Sequence, residues 1–151
     1  MNKLLRFIDK IFVPEIAYAH CDVPCGIYDP KPAQIAAAAV ARMVDKILSP
    51  PDLDEKDKGS RINFHNNMTR FVIVKEQEAQ KCKNELWILW SDFFKPEHLE
   101  IFPELHDKFW KAVKLCSKNK QEVSEQTAGD LVKAVDEIAQ MFEKAKASAK
   151  K

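Results

Sequence analysis

The stretch "TAGDLVKAVDEIAQMFEKAKAS", residues 127–148, sets Ala128, Leu131, Val135, Ile138, Phe142 and Ala145 three or four positions apart. That spacing is the period of an amphipathic α-helix, with the intervening lysines and glutamates forming a solvated face. Working outward from it, similar spacing recurs three times. A first, alanine-rich helix is expected from about residue 32 to 48, with Pro30 and Pro32 suited to its first turn. "SPPDLDEKDKGS", residues 49–60, reads as a polar loop. A long second helix is expected from about residue 62 to 94, carrying Met68, Val72, Ala79, Cys82, Leu86, Leu89 and Phe93 on one stripe, with Lys75 the one misfit. A third starts near Pro96 and aligns Leu99, Phe102, His106, Phe109, Val113 and Cys116, and "SKNKQEVSEQTAG" holds the next connection or its frayed edges. Four amphipathic segments with short joints bury their stripes best as an all-α, antiparallel four-helix bundle over about residues 32–147.

Composition agrees. The chain has 151 residues, 46% of them hydrophobic and 31% charged, with only three glycines. That suffices for one domain with its own core. Charges of both signs are interspersed and the net charge is +1, which gives no reason to expect a nucleic-acid partner. No apolar run approaches the roughly 20 residues of a membrane-spanning helix. Cys82 and Cys116, isolated in helical segments, read as buried apolar side chains. Trp87, Trp90 and Trp110 are expected in the core or in subunit contacts. His106 reads as a hydrogen-bonded core or interface residue, and His65 and His98 as solvent-facing or capping.

Ahead of the bundle lies "HCDVPCGIYDP", residues 20–30, the densest group of metal-binding atoms in the chain. Cys21 and Cys25 form a Cys-x-x-x-Cys without a downstream ligand pair, a poor match to four-ligand structural zinc. Pro24 and Gly26 argue against a helix, so the segment is free to curl with both thiolates inward. Thiolate ligation in a square plane points to nickel or copper rather than to calcium or magnesium.

The residues in front of the cluster supply a reason for its position. "MNKLLRFIDKIFVPEIAYA", residues 1–19, ends in the small-x-small sequence Ala17-Tyr18-Ala19 that peptidases cut after. Asp9 and Lys10 interrupt what would be the apolar stretch of an export signal, so the segment is expected to be a removable leader. Cleavage before His20 creates an α-amine there. That amine, the Cys21 backbone nitrogen and the Cys21 thiolate close adjacent five-membered chelate rings, Cys25 completes the plane, and the His20 imidazole can approach as an axial ligand. Two thiolates and an anionic amide push electron density onto the metal and make a one-electron couple accessible. Before cleavage the amine does not exist; the leader masks a ligand.

The motif resembles the N-terminal nickel hook of nickel-containing superoxide dismutases, whose pattern is His-Cys-Asp-x-Pro-Cys-Gly-x-Tyr-Asp-Pro. The likeness continues in "VIVKEQ", residues 72–77, and in "LWSDFFKPEHLEIFPELH", residues 89–106, and spans residues 20–151. The resemblance implies a leader over residues 1–19, a hook over 20–28, one nickel ion per subunit, a homohexamer and a maturation peptidase. It also implies disproportionation of superoxide to dioxygen and hydrogen peroxide with nickel(II)/nickel(III) cycling. Carried over by position, His20, Cys21 and Cys25 are the nickel ligands, Tyr28 stands at the entrance for small anions, and Asp22 helps hold the hook. Three positions depart from the family pattern. A first-helix glutamate and a second-helix arginine that support the axial histidine correspond here to Ala36 and Glu78, so Glu78 or a water is expected to accept from the His20 ring; a second tyrosine is Phe93. The compartment expected is the cytoplasm, with export left open.

Two other functions use the same residues. A nickel- or copper-binding module that stores metal without turnover needs the hook but no redox couple. A secreted helical protein would pair Cys21 with Cys25 as a disulfide. The masked-amine argument has its own test: replacing Ala17 and Ala19 by bulky residues should block cleavage and abolish superoxide turnover. Circular dichroism should show the bundle unchanged, and full activity in the uncleaved chain would refute the argument.

Overall fold

Asp29 and Pro30 start the first helix: the Asp29 carboxylate accepts from the Lys31 N–H at 2.7 Å, and the fixed φ of Pro30, here −73°, feeds a helical turn. The computed structural model describes residues 27–148. Helix α1 spans Lys31–Leu48 and α2 Lys58–Ile88, which continues through a π-helical turn, Leu89–Phe93, and a 3-10 turn, Pro96–Glu100. Helix α3 spans Leu105–Gln121 and α4 Glu125–Ser148. Among the described residues there is no strand, and no helix long and apolar enough to cross a membrane.

Each helix packs on its chain neighbours and α4 closes back onto α1, the four-helix bundle expected from the spacing. Ala33, Ala36, Ala37 and Val40 of α1 face Ala79, Cys82 and Leu86 of α2 in one core, with Phe109 of α3 and Leu131, Val135, Ile138 and Phe142 of α4. The alanines leave no side-chain bulk between α1 and its neighbours, so the helices approach closely.

Several boundaries differ from the expected ones. Helix α2 begins at Lys58, because the Asp57 side chain caps it by accepting from the Ser60 N–H at 2.5 Å. The third helix begins at Leu105 rather than near Pro96. Pro103 has no N–H and disfavours the helical conformation at Phe102, so Leu99 and Phe102 sit in turns, with Phe102 still buried. The connection expected over residues 117–129 shrinks to 122–124, and Ser124 Oγ caps α4 by accepting from the Thr127 N–H at 3.2 Å.

The α2 stripe is corrected in its first half. At 31 residues α2 is about 46 Å long, against about 27 Å for the 18 residues of α1. Its first buried residue is Lys75, so residues 58–74 run past the core; Val72, expected inside, is 42% exposed. Lys75, the misfit, is only 2% exposed. Its ammonium donates to the Asn119 carbonyl, and at 3.2 Å to those of Lys120 and Glu122. These are the orphan acceptors at the end of α3, where a cation also complements the helix dipole. Asn119 continues the joint, its Nδ2 donating to Leu115 O and Thr127 O at 3.0 Å each. Lys75→Met keeps the apolar stem but strands these carbonyls, and should cost about 2–3 kcal/mol in urea unfolding; an unchanged midpoint would show that the carbonyls find other donors.

Candidate metal centre

His20, Cys21, Asp22 and Cys25 lie outside the described residues. What the structure describes is the base on which that segment stands. Among the described residues no group of three or more His, Cys, Asp or Glu side chains could hold a metal ion. The donors expected from the sequence remain those of residues 20–25.

Ile27 is exposed, Tyr28 half-buried and Pro30 buried, so the chain enters the bundle at Tyr28. The Tyr28 ring meets Phe93 edge-on, with centroids 6.2 Å apart and planes at 65°. Phe93 in turn lies 4.1 Å from Phe142 of α4 and stacks on His98 at 5.9 Å. Phe94 meets Phe93 at 5.0 Å and Phe109 of α3 at 5.4 Å, both edge-on. One end of the bundle is thus an aromatic platform, and Tyr28 is its outermost ring.

The π turn sets that platform. The Phe94 N–H bonds Leu89 O at 3.1 Å, an i→i+5 contact that widens the helix. Each residue then advances by less than the usual angle, so Phe94 turns into the core at 7% exposure and Phe93, expected on the stripe, stays half-buried under Tyr28. His98 fixes the following turn: its Nδ1 accepts from the Lys95 N–H at 3.1 Å, which leaves the ring proton on Nε2. Its capping role is as expected from the sequence. Neither Phe94 nor Phe142 had been picked out as part of the site; the one sequence signal was a double phenylalanine just before Pro96.

Besides Phe93, two departures from the family pattern fall as follows. Ala36 is fully buried on α1. Glu78 is half-buried on α2, ten residues before Ile88, or about 15 Å along the axis. There its carboxylate, with that of Glu85, adds to the forces that push the Cys82 thiol pKa up; the larger ones are a hydrogen bond from Cys116 and burial. The structure therefore does not bring Glu78 to Tyr28. Eight residues separate Tyr28 from His20, an extended reach of up to about 26 Å, so the chain is long enough for the His20 ring to meet Glu78.

Other expectations divide. Cys82 and Cys116 are buried free thiols as expected. Trp87, Trp90 and Trp110 are not core residues, being 44%, 41% and 61% exposed. His106 is exposed too, and its Nδ1 accepts from Trp90 Nε1–H at 2.8 Å. His65 is solvent-facing. Near the platform, Lys146 Nζ lies 5.5 Å from the Phe142 ring centroid, a cation beside the site.

Removing the ring that supports Tyr28 should be felt directly. Phe93→Ala opens a void against Phe142 and His98, and should lower stability by about 2–3 kcal/mol in denaturant unfolding. Phe93→Tyr keeps the ring stack and should leave stability within about 1 kcal/mol. Equal losses in the two variants would show that the ring contact is not what matters.

Comparison with known proteins places this geometry. The model of the nickel-containing superoxide dismutase family matches residues 15–146. The chain is 38% identical over 135 residues to the superoxide dismutase [Ni] of Streptomyces seoulensis, covering 89% of this chain and 92% of that one. It is 34% identical over 135 residues to that of Streptomyces coelicolor, covering 87% and 94%. A crystal structure of a Ni-containing superoxide dismutase with ligation corresponding to the oxidised state superposes with a TM-score of 0.72 at 34% identity, over 85% of this chain and 99% of that one.

Proposed function

Since the chain belongs to the nickel-containing superoxide dismutase family, we propose that it converts superoxide to dioxygen and hydrogen peroxide at a hook completed by cleavage before His20. The observation that carries this reading is the donor set of residues 20–25 joined, through Tyr28, to the aromatic end of the bundle. Two thiolates, one amide nitrogen, one amine and one imidazole are a soft, strongly donating set that fits nickel. His20 would hold the ion through its amine and ring, Cys21 through its amide nitrogen and thiolate, and Cys25 through its thiolate. Nickel supplies there a one-electron couple that the sulfur and amide donors bring into the range of superoxide.

The remaining work falls to this chain's residues. Tyr28, held against Phe93, places a phenolic O–H donor at the entrance, where a small anion would accept from it. Phe93, Phe142 and Phe94 carry no polar atoms, so the floor of the entrance excludes water without competing for the anion. Phe93 carries no hydroxyl, and proton supply therefore rests on Tyr28, backbone amides and water. Asp22 steadies the hook. Glu78 accepts from the His20 ring N–H, a role that the length of the intervening chain permits. Lys146 adds a local positive potential that favours approach of superoxide.

The functional unit in this reading is an assembly of copies, a homohexamer with one nickel per subunit, matured by a leader peptidase. Trp87, Trp90 and Trp110 support it: all three are exposed and line one surface cleft with Phe109 and Val113, a contiguous apolar patch of the kind that meets another protein. A storage module that never turns over finds no support in the comparisons, which name enzymes.

Protein beginning at His20 and supplied with nickel should consume superoxide and show a rhombic nickel(III) resonance with nitrogen splitting. Cys21→Ser and Cys25→Ser should lose that signal altogether. His20→Gln should retain metal yet lose most of its turnover, and parental activity in that variant would remove the axial role from His20.

A further inference from the structure

The tryptophan cleft is apolar and has its shape before anything fills it. Its walls are Trp87 of α2, Trp90 of the π turn, and Phe109, Trp110 and Val113 of α3, around a volume of about 370 Å³. The indoles are held in place. Trp90 Nε1–H donates to His106 Nδ1 at 2.8 Å, Lys83 Nζ lies 5.2 Å from the Trp87 ring centroid, and Lys114 Nζ lies 5.5 Å from that of Trp110. Phe109 also meets Phe94, which meets Phe93, on which Tyr28 rests. The cleft therefore shares a wall with the platform at which the chain enters the bundle.

Residues 1–19 carry a set of side chains that matches it. Leu4, Phe7, Ile8 and Ile11 stand at i, i+3, i+4 and i+7, with Lys3, Arg6 and Lys10 on the opposite side of the same helical period. That is the anchor pattern of an amphipathic helix laid into an apolar groove. The lengths agree as well. Leu4 to Ile11 and His106 to Val113 are both steps of seven residues, about 10 Å along a helix. Sixteen residues separate Ile11 from Ile27, an extended reach of up to about 53 Å. That exceeds the length of α2, the longest helix of the bundle.

We propose that, before cleavage, the apolar face of the leader occupies the tryptophan cleft of its own chain and keeps a second copy off it. The inference rests on the leader and the assembly proposed above. A tether of this length holds the leader at the cleft at an effective concentration on the order of millimolar, which a separate subunit does not reach at ordinary protein concentrations. Cleavage before His20 then has two effects. It creates the α-amine, and it releases the leader into solution, so that the tryptophans become free to meet another subunit. Metal binding and assembly start from the same cut. The leader's apolar face with basic residues opposite would also suit an anionic lipid surface, but lipid gives no reason for an apolar cleft of matching length beside the chain's point of entry.

The test uses the full chain, kept uncleaved by bulky residues in place of Ala17 and Ala19, with a photo-reactive benzophenone on the residue at position 7. Chains of light and heavy isotope are mixed, irradiated and digested. Position 7 should be joined to a peptide containing Trp87–Trp90 or His106–Val113 of the same isotope, and Ile11→Asp should lower the yield about tenfold. By sedimentation the uncleaved chain should be smaller than the chain beginning at His20. Phe7→Asp together with Ile11→Asp should give the larger size without cleavage. The proposal is overturned if no link reaches the cleft, if the links mix isotopes, or if phosphatidylserine vesicles capture the chain and leave the cleft unlinked. Assembly of the uncleaved parent at the same concentration as the processed chain also overturns it. If the intrachain link forms and the processed chain stays single, the docking stands and the proposed assembly fails.

Discussion

The contact between Tyr28 and Phe93 is the constraint on which the rest depends. The candidate metal donors precede residue 26, and Ile27 and Tyr28 are the first described residues that join them to the bundle. Asp29 and Pro30 fix the backbone by capping and starting α1; Tyr28 fixes a side chain by resting on Phe93. A backbone anchor alone fixes one point at the edge of the bundle. An aromatic contact beside it fixes a second at modest cost, because an aromatic ring has few torsions to lose. The platform is rigid in turn because α4, the π turn and the 3-10 turn each contribute a ring to it.

Close packing of α1 has a consequence for the proposed ligand environment. Ala33, Ala36, Ala37 and Val40 are buried in the α1 contacts and carry no charged group. A carboxylate that is to serve the His20 ring must then come from elsewhere, and Glu78 on α2 is half-buried and within the reach of the chain. The same carboxylate raises the Cys82 pKa.

Polar burial in this bundle is concentrated where helices end. Lys75, Asn119 and Thr127 are its buried polar residues, and all three belong to the joint between α3 and α4. A helix terminus buried against a neighbour leaves carbonyls without partners, and an ammonium reaching across from α2 satisfies several at once. The apolar core therefore extends to within one turn of the α3–α4 connection, which needs only residues 122–124.

The sequence by itself determined what is local. The three-and-four spacing of Ala128, Leu131, Val135, Ile138 and Phe142 required a helix, and four such segments required a bundle, because an apolar stripe must be buried whatever its partner. The donor set proposed for the hook is local in the same sense, since its chelate rings would form between atoms only a few bonds apart. Only the tertiary structure decided the rest. Lys75 reads as an error in its stripe until the end of α3 is brought beside it. Val72 reads as core until α2 proves longer than the helix it packs on. The exchange of Phe93 for Phe94 as the buried ring follows from one i→i+5 hydrogen bond, which a uniform helical period cannot express. Cys82 and Cys116, 34 positions apart, fall into one buried cluster that no local pattern links. Burial of a stripe is a property of the segment itself, whereas the partner that completes a charge, a ring or a thiol arrives from another part of the chain.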